Sequence, residues 1–254
     1  MIFTVFSKSI VGYKNKIKNK SSQDYVKYET LEEGIICAVA DGHSGDFFTH
    51  SHKGSEYACE AVIEVLKKYI IYDLDDLDIL LKEKKIQKEI CVRWRELVEK
   101  DFDRSLPRAY KLNYFRYGTT LLATVVTDKY RLFFKLGDGE ILINKNKIFN
   151  KVLYSPKKYL VDCMAEEEAH NKFLWKLEEN VDIGGYFIIL YSDGYENSFS
   201  SYEYMIGDLN DTLTKYNKNI FTKLILEMNY EDYLERLSEK GSRDDISIIF
   251  VNVL

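Results

Sequence analysis

Three apolar runs in this chain each end in Asp-Gly, and a fourth begins directly after an Asp-Asp pair. The first three are residues 35–40 before Asp41-Gly42, 131–137 before Asp138-Gly139, and 186–192 before Asp193-Gly194. The fourth, residues 246–251, follows Asp244-Asp245. Short continuous apolar runs bounded by turn residues read as buried strands. Each carboxylate therefore stands at a strand end, and strand ends distant in sequence can meet in space. Several carboxylates meeting with few cations nearby repel one another unless a divalent metal lies between them. The pattern points to a sheet-based fold that gathers strand ends around a hard-cation hydrolytic site.

The rest of the chain fits that picture. Residues 2–7 alternate as a strand, 24–28 read as a second, and 34–41 as a buried one. Residues 54–70 place Tyr57, Ala61, Val62, Val65, Leu66 and Tyr69 on one helical face. Residues 74–104 read as a second long helix or a broken pair. The Thr-, Val- and Leu-rich stretch 118–127 pairs with 130–137 through a turn at Thr127-Asp128-Lys129. Asp138-Gly139 then leads into 140–144 as another hairpin. Residues 145–182 mix strand-like pieces with a charged helical one, Met164 to Glu179. A strand at 186–192, helices at about 200–216 and 219–239, and a strand at 246–253 follow. In the second of those helices Phe221, Leu224, Ile225 and Met228 share one side. Hairpin-joined strands dominate, so an α+β chain is expected, with mostly antiparallel sheets and helices segregated outside them.

With 254 residues, only Pro107 and Pro156 as prolines, and no Gly/Ser-rich stretch or internal repeat, one domain over 1–254 is expected. The net charge of -5 argues against a general nucleic-acid binder, while Lys14, Lys16, Lys18 and Lys20 leave room for a local basic pocket. Cys37, Cys59, Cys91 and Cys163 form neither a zinc spacing nor a disulfide framework, which suits a reducing, cytoplasmic setting. No apolar run approaches the ~18 residues of a membrane span, and no signal segment is expected at the amino end.

A single Asp-Gly is an ordinary turn dipeptide, and for Asp138-Gly139 a plain hairpin carries about as much weight as a functional role. Asp193-Gly194 is harder to read as a turn, because a helical pattern follows it instead of a return strand. In Asp41-Gly42-His43-Ser44-Gly45 two glycines flank a histidine after a buried strand, which suits close backbone approach to a ligand. His50 and His52 read as surface residues.

The order of these motifs is more informative than any one of them. A lysine-rich loop, Gln23-Asp24, Asp41-Gly42-His43-Ser44-Gly45, Gly118-Thr119-Thr120, Gly137-Asp138-Gly139, Ser192-Asp193-Gly194 and Asp244-Asp245-Ile246-Ser247 follow one another. This resembles the metal-dependent protein phosphatase family, type 2C, and most of all its bacterial-type stand-alone branch, over nearly the whole chain. The resemblance implies a four-layer α-β-β-α sandwich of two mostly antiparallel sheets flanked by helix pairs. By the same resemblance Asp41 bridges two metals and the Gly42 carbonyl binds one. Asp193 and Asp244 serve the other metal, and Asp138 with Asp193 holds a third. Asp24 matches the acidic residue that positions metal-bound water, and His43 matches a histidine proposed as general acid.

Two positions depart from the family pattern. Many members carry Glu where this chain has Gln23, a weaker ligand. Many also carry a phosphate-holding arginine five residues before Asp24, where this chain has Asn19 between Lys18 and Lys20. Either lysine can bind phosphate as a point charge, without arginine's bidentate fork. The resemblance further implies a flap over about 145–182, which here contains Lys157-Lys158 and Glu166-Glu167-Glu168.

The implied reaction is hydrolysis of phosphoserine and phosphothreonine monoesters by a metal-bound hydroxide. All-oxygen ligands suit Mg²⁺ or Mn²⁺, two ions or three, better than zinc. A monomer acting on phosphorylated proteins beside a cognate Ser/Thr kinase is expected. The alternative is a pseudophosphatase that keeps the fold as a regulatory binding module. A haloacid-dehalogenase type is disfavoured, because Asp41, Asp138 and Asp193 are followed two positions on by His43, Glu140 and Tyr195 rather than by a second Asp.

Overall fold

Runs rich in Val, Ile, Phe and Tyr supply most of the strands, as a pleated and covered surface favours. The computed structural model describes residues 1–105, 111–154, 161–181 and 184–254. Pro107, Pro156 and Lys157-Lys158 lie outside the described residues. The chain begins β1 (Phe3–Ile10), α1 (Tyr13–Lys16), β2 (Asp24–Thr30) and β3 (Gly34–Asp41). Three helices follow, α2 (Ser51–Tyr69), α3 (Leu74–Lys82) and α4 (Lys85–Ser105). Next come β4 (Leu121–Thr127), β5 (Tyr130–Leu136), β6 (Glu140–Lys145), β7 (Ile148–Lys151), β8 (Leu174–Glu179) and β9 (Tyr186–Tyr191). The short α5 (Asp193–Glu196), then α6 (Tyr202–Lys218), α7 (Ile220–Lys240) and β10 (Ile246–Val253), complete the order.

The strands form two five-stranded sheets, β1-β10-β9-β6-β7 and β2-β3-β4-β5-β8. Every pairing in them is antiparallel. Successive residues of a strand point to opposite faces. In β3, Ile35, Cys37 and Val39 enter the core between the sheets, while Ile36, Ala38 and Ala40 pack outward against helices. Both faces are covered, which is why this strand reads as a continuous apolar run rather than an alternating one. Between the sheets Val39, Leu122 and Phe133 meet Ile188, Leu190 and Ile249. Outside the second sheet lie Val62 and Leu66 of α2, Leu77 of α3, and Ile90 and Trp94 of α4. Outside the first lie Leu209 and Leu213 of α6 and Tyr230 and Leu234 of α7. The layers are therefore helix, sheet, sheet, helix, as the family resemblance implied.

One local reading resolves to the broken helix pair it had left open, and two further regions are settled by tertiary context. The 74–104 region breaks at Glu83-Lys84, where Lys84 adopts φ 58° between α3 and α4. The charged helix expected at Met164 to Glu179 is instead a short 3₁₀ turn, Ala169–Asn171, followed by β8. There Trp175 pairs with Phe134 and Leu177 with Leu132 on the open edge of β5. Tertiary pairing overrides the helical preference of the charged residues. In α7 the apolar side of Phe221, Leu224, Ile225 and Met228 faces solvent, and the buried residues are Tyr230, Leu234 and Ser238.

Candidate metal centre

Antiparallel pairing and hairpin turns bring four carboxylates to one end of the sandwich. Asp41 ends β3, Asp138 sits in the β5–β6 turn, Asp193 opens α5 directly after β9, and Asp244 precedes β10. Carboxylate oxygens of Asp41, Asp138 and Asp193 all lie within 4.8 Å of one another. With Asp244, Gly42, His43, Ser44 and Thr120 they line a polar cavity of about 170 Å³. Two glycines make the geometry possible. Gly137 turns the chain into Asp138 at φ 102°, a region that favours glycine. A Cβ at Gly194 would lie 2.0 Å from the Asp245 carbonyl oxygen, so only glycine lets α5 approach the start of β10.

The cluster is electrostatically strained without a cation. Burial, reinforced by Asp24, Asp193 and Asp138, raises the Asp41 carboxyl well above its ordinary value. Burial and then Asp138 push Asp193 up to about 6. Asp41 and Asp193 lie close enough to share a proton. Asp138, the most open of the three, is also raised by its partly desolvated position. These groups would gain from a multiply charged cation between them, and hard oxygen donors fit Mg²⁺ or Mn²⁺. The donor set therefore suits the ions implied by the sequence.

Behind the cavity a polar layer fixes these side chains. Asp24 pairs in register with Asp41 but is buried one layer back, where its carboxylate accepts from the Ser192 hydroxyl at 2.6 Å. The Ser247 amide donates to the same Ser192 oxygen at 3.0 Å. Burial, then Asp245, raises the Asp24 carboxyl well above its usual value. Asp24 thus orients the residue next to Asp193 and does not line the cavity. Thr120 accepts from the Asp41 amide at 3.0 Å.

Gln23 is engaged elsewhere. Its side-chain amide donates to the His43 carbonyl at 2.8 Å and to the Ser51 hydroxyl at 2.6 Å. Its side-chain oxygen accepts from Asn15 at 3.4 Å. It staples the His43 loop to the start of α2.

Lys18 and Lys20 do not line the cavity. Lys18 is exposed, and Lys20 reaches Asp46, at 3.9 Å. Lys14 is the cation of that cluster that touches the site, its ammonium 2.5 Å from Asp244. Asp245 explains the placement. Its carboxylate accepts from the Gly12 amide at 2.6 Å, the Gln23 amide at 2.7 Å and the Asn15 side chain at 2.9 Å. That clamp holds the loop so that α1 presents Lys14 to Asp244. The lysine cluster and the Asp-Asp pair were visible in the sequence, but the choice among the lysines required the loop's path.

His43 lines the cavity beside Asp138, with its ring edge-on to Phe48 at 5.2 Å. Burial lowers its pKa from the ordinary imidazole value, while Asp138 and Glu166 oppose that shift. A stretch of the 145–182 segment around Asp162 and Met164 comes near this side of the site. Met164 donates its amide to the Thr119 carbonyl at 2.9 Å.

The fold and the cluster match known proteins. The family model for protein phosphatase 2C matches residues 11–230. No curated protein sequence matches the chain. Among solved structures, Pseudomonas aeruginosa PppA, a key regulatory component of T6SS, is 14% identical with TM-score 0.66, covering 99% of this chain and 97% of its own. The S. agalactiae serine/threonine phosphatase is 17% identical with TM-score 0.61, covering 98% and 99%. The catalytic domain of the serine/threonine protein phosphatase PstP, solved with two manganese ions, is 16% identical with TM-score 0.61, covering 99% and 98%. With the family model spanning most of the chain and the same architecture at both sheets, this protein belongs to the protein phosphatase 2C family.

Proposed function

We propose that the chain is a Mg²⁺- or Mn²⁺-dependent phosphatase acting on phosphoserine and phosphothreonine in proteins, opposite a Ser/Thr kinase in signalling. The convergence of Asp41, Asp138 and Asp193 within 4.8 Å carries this reading. Asp41, Asp193, Asp244 and the Gly42 carbonyl would hold two ions, with Asp138 and Asp193 serving a third. Bound there, the ions would neutralise phosphoryl charge and activate water.

The chain's own residues supply the rest. Lys14, rather than Lys18 or Lys20, is our candidate for holding the substrate phosphate. Its half-buried ammonium already touches the rim carboxylate of Asp244. With the Asp244 carboxylate engaged by a bound ion, Lys14 would be free to pair with a phosphate oxygen as a point charge. Asp24 acts through Ser192 to fix Asp193. His43, which lines the cavity, would protonate the leaving alkoxide, with Asp138 favouring its charged form and burial opposing it. Four buried free cysteines and the absence, among the described residues, of any helix long and apolar enough to cross a membrane suit a cytoplasmic setting.

The test is hydrolysis of an aryl phosphate and of a phosphothreonine peptide with Mn²⁺ or Mg²⁺. Activity with both substrates, lost on chelation and in Asp41→Asn, is expected. No metal-stimulated turnover of either, from a folded protein that still binds Mn²⁺, would refute the enzyme reading.

A further inference from the structure

The sequence pattern marks one helical stripe that the fold does not cover. On the first half of α7, Ile220, Phe221, Leu224, Ile225 and Met228 are between 48% and 79% exposed. The helix packs on the first sheet through Tyr230 and Leu234, further along, so the stripe contributes nothing to the core. A large side chain carries roughly 200 Å² when free. The five therefore expose on the order of 600 Å², at the upper limit of what monomers leave uncovered. That is most of the ~800 Å² per partner buried in a standard interface.

The charges beside the stripe indicate what covers it. Exposed Lys218, at the end of α6, lies before the apolar residues, and exposed Glu231 and Asp232 lie after them. Glu231 has Lys8 at 3.6 Å, and Lys223 has Glu227 at 3.9 Å within α7. Lys218 thus stands at one end of the stripe, and Asp232 with Glu231, itself paired with Lys8, at the other. A twofold axis midway between Leu224 and Ile225 would run two copies of α7 antiparallel. Phe221 would then meet Met228 of the second copy, Leu224 would meet Ile225, and Lys218 would meet Glu231. Such a self-complementary patch is what an isologous contact requires, and the sulfur–ring contact between Met and Phe is favourable. An anionic lipid surface fits less well, because Glu227, Glu231 and Asp232 would face it along with the apolar side chains.

From this arrangement we infer that the protein forms a homodimer through the exposed stripe of α7, in place of the monomer expected from the sequence. The inference is independent of the catalytic reading, since none of these residues lies at the acidic cavity. Sedimentation velocity of the full chain from 1 to ~100 µM should show a concentration-dependent dimer. The double variant Phe221→Glu/Met228→Glu should be monomeric across that range with an unchanged far-UV circular dichroism spectrum. Lys218→Glu should raise the dimer dissociation constant about tenfold, and adding Glu231→Lys should restore most of it. A wild type that stays monomeric, or a dimer that survives the double substitution, would overturn the inference. So would monomers that float with vesicles of anionic phospholipid and lose that binding in the double variant.

Discussion

Asp193→Asn gives the most direct measure of the charge strain at the cavity. The Asp193 carboxyl is raised from 3.8 to about 6. The folded state therefore binds its proton more tightly than the unfolded state does. Stability from this group is intact below pH ~4, declines between pH ~4 and ~6, and is fully lost above that window. About two units at 1.36 kcal/mol each put the loss at about 3 kcal/mol above pH 7, and roughly half that at pH 5. Asparagine keeps the shape and cannot ionise. It can still accept the hydrogen bond that Asn197 donates to Asp193 at 3.0 Å. In EDTA at pH 7.5 the variant should melt on the order of 5–10 °C higher than the wild type. The gap should narrow at pH 5 and nearly close toward pH 4. Excess Mn²⁺ should reverse the order, because the wild type gains a ligand-binding contribution that the variant has weakened. A variant no more stable than the wild type at pH 7.5 in EDTA, or a gap that does not change with pH, would refute the reasoning.

Three further outcomes are expected. Lys14→Met should raise KM for an aryl phosphate about tenfold or more, the equivalent of about 1.4 kcal/mol, whereas Lys18→Met and Lys20→Met should leave it within twofold; steady-state kinetics at saturating Mn²⁺ separates them. His43→Ala should slow turnover of poor leaving groups far more than good ones, and an equal effect on both would argue against a proton-donating role. Gly194→Ala should cost at least 1–3 kcal/mol in denaturant unfolding, because its Cβ would meet backbone at 2.0 Å and not a movable side chain.

The antiparallel strands with helices outside them and the acidic strand ends were legible in the sequence because both follow from local pattern, whereas the four-layer stacking was implied by the family resemblance. Buried runs such as 34–41 and 246–253 coincide with β3 and β10 residue for residue. Elements shaped by distant partners were not legible. The helical look of Met164 to Glu179 gives way because β5 offers an unpaired edge. The sequence placed the α7 stripe on one side, and periodicity reports only that apolar residues share a side, not that anything covers them. At the site, spacing could mark Asp41, Asp138, Asp193 and Asp244 as strand-end residues. It could not reveal that the Gln23 side chain turns to the His43 carbonyl and the Ser51 hydroxyl, nor which lysine reaches inward, because the latter depends on Asp245 capturing a segment more than two hundred positions away.

That capture also orders events in time. Gly12 and Asn15 lack their Asp245 acceptor until the residue just before β10 has been synthesised and has docked. Pairing of β1 with β10 has the same requirement. Contacts with so large a loop to close form late and slowly. A nascent chain still emerging from the ribosome would therefore hold most of its second sheet while remaining unable to present Lys14. Competence at the cavity would then arrive in a single closing step, as the first and last segments of the molecule join.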